Sequence, residues 1–325
     1  MNNFVLKAIE ERLERFRQKG RIQAGSLITT VFGDAILPRG GRVSMGSMIQ
    51  LLQPLGVNER LVRTAVYRLV KVEWLQSEAL GRKTDYMLTP SGRSRFDEAS
   101  RQIYAADIPP WDRRWRMVLI VGDLAPRLRE QLRRALFWQG FGETATGGFV
   151  HPTADLEVVM QGLSSEGMEA ARAHLMPMVA VNARTAHCAS DIDLVQKAWA
   201  LSDLALSYDV FLQKYEPIRD ALLADNEEAV SQENAFLVRT LLIHDVRRLL
   251  LRDPQLPESL LPASWPASHA RHLCRDLYRK LLPLSERHLD DIVRLSNGTA
   301  PHASHTLVSR FEFGMDLATG THPAV

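Results

Sequence analysis

The sequence predicts an α+β, multidomain protein: an N-terminal winged helix-turn-helix, a central ferredoxin-like α+β domain and a C-terminal helical domain. Three observations carry this. Residues 58–90 order a helix with a basic face before a hairpin with a basic tip. Residues 115–181 mix apolar runs of strand length with helical periodicity. From about Ser190 the pattern is helical almost throughout.

Ser26 to Phe32 reads as a first helix, and Gly40-Gly41-Arg42-Val43 as a loop. Ser44 is the natural N-cap of a helix through Leu52, with Met45, Met48, Ile49 and Leu52 as its apolar stripe. Pro54-Leu55-Gly56 stops it, and Asn58 caps the next helix. From Asn58 to Val72, a step of about 100° per residue collects Leu61, Val62, Ala65, Val66 and Leu69 on one face. Arg60, Arg63, Thr64, Tyr67 and Lys71 fall on the other, with Arg68 at the border. Cations suit phosphates and polar tips suit base edges, so this face fits a DNA major groove. Two extended runs follow, Trp74 to Glu78 and Thr84 to Thr89, joined by Leu80-Gly81-Arg82-Lys83. Arg82 and Lys83 are the expected wing contacts. A solvated amphipathic helix alone would look similar; the preceding helix and the following basic hairpin favour DNA.

A helix from Ser91 to Tyr104 closes the first domain, residues 1–107, and Asp107-Ile108-Pro109-Pro110 reads as a linker. The second domain, 111–187, opens with the apolar strand Met117 to Val121. A helix over Leu124 to Trp138 follows, then a strand over Ala145 to His151. Leu156 to Met160 and Met178 to Val181 are weaker strand candidates, and Ser165 to Leu175 a helix. Such alternation predicts the ferredoxin-like sandwich. The third domain, 190–325, holds a long helical region from Ile192 to Ala224 interrupted at Pro217, an amphipathic helix from Glu233 to Arg252, a proline-punctuated loop through Trp265-Pro266, and a helix from His269 to Leu282. A mobile tail is expected after about Pro301.

Composition narrows the function classes. The chain has 325 residues, 46% of them hydrophobic, and a formal net charge of +2. Residues 57–95 hold eight Lys/Arg against four Asp/Glu, a net +4, so the basic charge is concentrated in one segment. Two cysteines, Cys188 and Cys274, make no CxxC pattern and argue for a reducing compartment. The N-terminus has no signal-like apolar region, and no run approaches the ~18 apolar residues of a transmembrane helix. A cytoplasmic location without membrane attachment is expected.

The chain resembles the PaaX-type repressors of bacterial phenylacetic acid catabolism. The resemblance rests on GDAILPRGGRVSMGSMIQLLQPLGVNERLVRTAVYRLV, GRKTDYMLTPSGR, WRMVLIVGD and AFLVRTLLIHDVRRLLLRDPQLPESLLPASWP. It implies a homodimeric repressor that binds double-stranded operator DNA, with a central domain similar to the CRISPR-associated Cas2 fold. It also implies an acyl-CoA thioester effector, typically phenylacetyl-CoA.

For that effector, the expected cations are Arg239, His244, Arg247 and Arg248, with Trp265 as an apolar wall. Structural pairing of the arginines with Asp245 or Asp253 is the competing reading. No catalytic residue, metal site or cofactor is expected. A metal-dependent nuclease using Asp123 is the enzyme-class alternative, but one carboxylate makes a poor site for a hard cation. His269, His272, Cys274, His302 and His305 do not have the spacing of a recognised zinc finger.

Overall fold

The structure, a computed structural model, describes residues 4–18, 20, 22–81, 83–104, 110–165, 167–224, 230–304, 307 and 310. The chain forms two compact units: residues 1–106, 209–248 and 268–325 in the first, 107–208 and 249–267 in the second.

In the first unit, α1 (Phe4–Arg17) buries Val5, Ile9, Leu13 and Phe16, spaced for one helical face. Arg12 lies on that same buried face. Its guanidinium donates to Asp245 Oδ2 at 2.9 Å and Tyr215 OH at 3.0 Å. Next comes α2 (Ala24–Val31), which runs directly into a π-helical turn, Phe32–Ile36. The strand β1 (Arg42–Ser44) leads into α3 (Met45–Leu52), where the Ser44 hydroxyl accepts from Ser47 N, the expected N-cap. Gly56 then turns the chain at φ +81°, a left-handed position that glycine accepts without strain. The next elements are α4 (Glu59–Lys71), the hairpin β2 (Leu75–Leu80) and β3 (Lys83–Leu88), and α5 (Pro90–Ile103), capped by Thr89. All three strands pair antiparallel in the order β1-β3-β2.

The second unit contains β4 (Trp115–Ile120), α6 (Pro126–Trp138), β5 (Gly142–Glu143), β6 (Phe149–His151), α7 (Leu156–Ser165), α8 (Glu169–Arg172) and β7 (Leu175–Ala180). Its sheet order is β5-β6-β4-β7, antiparallel throughout, which is the split βαβ arrangement of a ferredoxin-like domain. Leu132, Leu136, Phe141, Phe149 and Leu163 fill the space between sheet and helices. Residues 156–160 were expected as a strand and are the start of α7. Asp155 decides this, because Oδ1 accepts from Glu157 N at 2.9 Å and Val158 N at 3.3 Å and starts a helix. The helix expected over 165–175 shrinks to α8: Ser165 ends α7, residues 167, 173 and 174 are turn, and Leu175 starts β7.

His151 is buried, and Nδ1 accepts from Thr153 N at 3.0 Å and Ala154 N at 2.8 Å. Burial, then the nearby Arg116, pushes its pKa down to about 4. A histidine lowered in the folded state contributes stability above its unfolded pKa near 6.5, and loses it as pH falls toward the folded value. The expected loss between those values is about 3 kcal/mol. His151→Gln should flatten this part of the stability–pH curve in urea titrations; an unchanged curve would mean another group carries the slope.

The remaining helices are α9 (Asp191–Ala198), α10 (Leu201–Ala224), α11 (Gln232–Leu250) and α12 (Ala267–Ile292). The helix break expected at Pro217 falls elsewhere, since Pro217 sits inside α10. The interruption is at Trp199, whose backbone is extended (φ −126°, ψ 144°) and whose indole N–H donates to Gly140 O at 3.0 Å. The proline-punctuated loop is packed, burying Leu256 and Leu260 with Trp115, Val150 and Val195. Part of the tail is anchored rather than mobile. Leu307 is buried, and Arg310 donates to Asp34 Oδ1 at 2.9 Å; His305 and residues 311–325 lie outside the described residues.

Candidate nucleic-acid interface

The helix α4 is seated by Val62, Ala65 and Val66, which are buried, and is started by Asn58, whose Oδ1 accepts from Leu61 N at 2.9 Å. Leu69 is half-buried, and Leu61, expected inside, is exposed at the edge of the packed face. The other face is wholly outward: Arg60, Arg63, Thr64, Tyr67, Arg68 and Lys71 are all exposed, Tyr67 by 70%. Arg63 pairs with Glu59, Nε donating to Oε1 at 2.8 Å, one turn away. The Thr64 hydroxyl donates to Arg60 O at 2.8 Å. Among the described residues, Arg60, Arg68 and Lys71 have no ion-pair partner. The six expected contact residues therefore share one solvent-facing surface, with three cations free to meet an anion.

The hairpin is braced from below. Asp85 on β3 is buried; its Oδ2 accepts from Arg42 Nε at 2.9 Å and its Oδ1 from Ser296 N at 2.8 Å. Arg42 also pairs with Glu78 on β2 at 3.0 Å, so one arginine ties all three strands. Ser47 on α3 is fixed in turn, its hydroxyl accepting from Arg294 N at 2.9 Å. Sequence reasoning passed over Arg42, Ser47 and Asp85. No local pattern flags them, because their partners are remote in sequence: Arg42 meets Glu78 and Asp85, and Ser47 and Asp85 meet residues 294 and 296. Lys83 is exposed near the hairpin tip, and Arg82 lies outside the described residues.

The effector-binding set fares differently. Arg239 is fully buried at 0% exposure. Its Nε lies 2.9 Å from Asp34 Oδ2, Nη1 reaches Glu286 and the Ser285 hydroxyl, and Nη2 donates to Tyr278 OH at 3.1 Å. Burial pushes the Asp34 carboxyl up, but Arg239 and Arg310, with the hydroxyls of Tyr104 and Tyr278, outweigh it and hold the carboxyl below its usual range. Arg239 is thus a structural ion at the centre of a network, not the expected ligand cation; its partners are Asp34 and Glu286, not the Asp245 or Asp253 of the competing reading. Arg247 donates to Ser26 Oγ at 2.8 Å, and His244 Nδ1 lies 3.1 Å from Thr30 Oγ1. His244 and Arg248 do line a cavity with Phe16 and Leu27, but at about 170 Å³ it is below the roughly 300–1,000 Å³ of small-molecule sites. Trp265 belongs to the second unit, half-buried with its ring 6.2 Å from Tyr208.

Comparison with known proteins gives a consistent family. Residues 23–92 match the family described as PaaX-like protein, 109–186 the PaaX protein central Cas2-like domain, and 199–291 the PaaX-like protein C-terminal domain. Transcriptional repressor PaaX of Escherichia coli (strain K12) is 33% identical over 297 residues, 89% of this chain and 90% of that protein. The chain belongs to the PaaX family. A solved structure, uncharacterized protein Rv0674 from Mycobacterium tuberculosis, is 24% identical, covering 73% of this chain and 88% of that one, with a TM-score of 0.47.

Family membership places the ferredoxin-like sheet in a Cas2-like domain. In this PaaX-family chain Asp123 is exposed after β4, and among the described residues no group of three or more His, Cys, Asp or Glu could hold a metal ion. The nuclease alternative finds no support in the comparisons. His269 pairs with Glu216 at 3.2 Å, and Cys274 is buried, its thiol pushed up by burial and then by Asp34. Among the described residues no helix is long and apolar enough to cross a membrane.

Proposed function

We propose that this PaaX-family chain is a DNA-binding transcriptional repressor of a phenylacetate catabolic operon, without catalytic activity of its own. In this reading α3, α4 and the β2–β3 hairpin are a winged helix-turn-helix, α4 enters the major groove, and Lys83 and Arg82 approach the backbone from the wing. The observation that carries it is the outward face of α4: six exposed polar and cationic residues on a helix whose opposite face is packed. The relative named as a transcriptional repressor supports the same conclusion. The division into 1–107, 111–187 and 190–325 is retained as the functional partition: reader, Cas2-like domain and helical domain. The protein acts in the cytoplasm as a homodimer, so the operator is a pseudo-palindrome with half-site spacing set by the dimer.

Release needs no chemistry. An acyl-CoA thioester, phenylacetyl-CoA first, binds better to the form whose two reading helices do not match the operator. Linkage makes the effect reciprocal: operator DNA weakens thioester binding by the factor by which thioester weakens operator binding, typically about 5–150-fold. The test is a salt-controlled shift assay, using an operator selected by the protein from a random DNA pool, with and without phenylacetyl-CoA. Loss of the complex at micromolar thioester is expected; a complex untouched by any acyl-CoA would leave only the DNA-binding half. Lys83→Ala should weaken specific and non-specific DNA alike. It should also lower the slope of log affinity against log salt by about 0.9 for each phosphate that a wing no longer neutralises. A loss at one base step with an unchanged slope would instead make the wing a sequence reader.

A further inference from the structure

We infer that a cavity in the second unit binds an organic phosphate, its phosphate held by Arg113 and Arg184 and its flat apolar part lying against Trp111. The cavity measures about 740 Å³, within the roughly 300–1,000 Å³ of small-molecule sites. Three chain segments meet around it, at residues 110–113, 184–192 and 257–260. Its floor is firm. Pro257 and Leu260 are buried, and Trp111 is half-buried, its ring centroid 5.2 Å from that of Trp115 and its N–H donating to Arg114 O at 3.1 Å.

The two arginines are the polar handles. Both are exposed, and among the described residues neither guanidinium has a hydrogen-bond or ion-pair partner. Nearby Arg116, by contrast, is committed to Asp112 at 2.6 Å. Each free arginine sits on left-handed backbone, φ +62° at Arg113 and +56° at Arg184, where glycine would be unstrained. A planar fork of donors grips a phosphate in two places, which an ammonium cannot do.

The acids on the wall define the rest of the ligand. Asp191 Oδ1 already accepts from Trp115 Nε1 at 2.8 Å and from Asn182 Nδ2 at 3.2 Å. Glu258 is exposed on the rim. Together they offset the arginines' long-range field, so a bare polyanion gains little. A molecule with its phosphate at one end and an apolar, flat body at the other satisfies both halves of the wall. Nucleotides and coenzyme A esters are of this class, and the inference rests on the proposed function only in that a thioester effector would be one such ligand.

The test is isothermal titration of the full-length chain with ADP, free coenzyme A and inorganic pyrophosphate. Arg113→Gly and Arg184→Gly remove each cation while accepting the backbone angle, so the thermal midpoint should hold or rise. ADP or coenzyme A should bind the wild type, each variant should lose tenfold or more, and pyrophosphate should bind more weakly than either. No binding of ADP or coenzyme A at millimolar concentration, or equal binding by both variants, overturns the assignment. The two readings separate cleanly. If ADP binds and the variants lose it while no acyl-CoA releases operator, the effector reading fails and the cavity stands. If phenylacetyl-CoA releases both variants at wild-type concentrations, and coenzyme A binds them as tightly as wild type, the effector reading stands and the cavity fails.

Discussion

Arg239→Met is expected to destabilise the first unit by about 3–5 kcal/mol, the usual result of removing one partner from a buried ion pair. The substitution approximates the aliphatic volume and deletes the charge. It takes one of two arginines from Asp34, which keeps Arg310, and one of two from Glu286, which keeps Arg39, and the hydroxyls of Ser285 and Tyr278 lose a donor. Arg310 does not fill the vacated place, because its Nη1 is already committed to Asp34 Oδ1 at 2.9 Å, Asp34 O at 2.8 Å and Tyr278 OH at 3.0 Å. The pH dependence follows from the lowered Asp34 carboxyl. A lowered carboxylate contributes stability that is present above its unfolded pKa near 4 and lost as pH falls through the folded value. The variant should therefore lose most near neutrality and least in mild acid, where Asp34, having lost one of its two cationic partners, can protonate. Chemical denaturation followed by circular dichroism at several pH values reads both effects. A loss below about 1 kcal/mol, or one that does not depend on pH, would mean the network is solvated and only lightly coupled.

That network also explains what was legible in the sequence and what was not. Local rules worked where the cause is local. Ser44, Asn58 and the basic face of α4 are each set by neighbours within a turn or two, and the hairpin follows from a glycine between two extended runs. They failed where the deciding interaction is distant. An arginine on an amphipathic helix reads as a ligand cation until Asp34, 205 residues away, is brought beside it. Trp199 ends a helix because its indole reaches Gly140 O, 59 residues upstream, whereas Pro217 is carried inside one. Residues 156–160, with two adjacent valines, look extended until the Asp155 side chain caps them as a helix. The cavity between Trp111, Arg113 and Arg184 was invisible for the same reason. Its walls come from segments about 70 residues apart in turn, and none carries a phosphate-binding motif of its own.

The combined variant Arg60→Ala, Arg68→Ala and Lys71→Ala is expected to abolish operator binding while leaving the fold intact. None of the three has an ion-pair partner among the described residues, and all project from the side of α4 opposite Val62, Ala65 and Val66. The thermal midpoint should therefore stay close to wild type, since exposed substitutions away from caps and core are usually within about 0.5 kcal/mol. If each cation neutralises one phosphate, a variant acting as the proposed homodimer leaves about six phosphates without a protein cation. The slope of log affinity against log salt then falls by about 5, and affinity near 0.15 M salt by roughly 10⁴-fold. Arg63→Ala should behave differently. Arg63 must leave Glu59 to reach a base edge, so its loss costs roughly 1–3 kcal/mol, relaxes sequence preference at one position and leaves the salt slope nearly unchanged. The two patterns distinguish positioning from reading on a single helix. Should the triple variant hold its operator at wild-type affinity and salt dependence, α4 does not face the DNA, and the basic surface of this helix would need another partner.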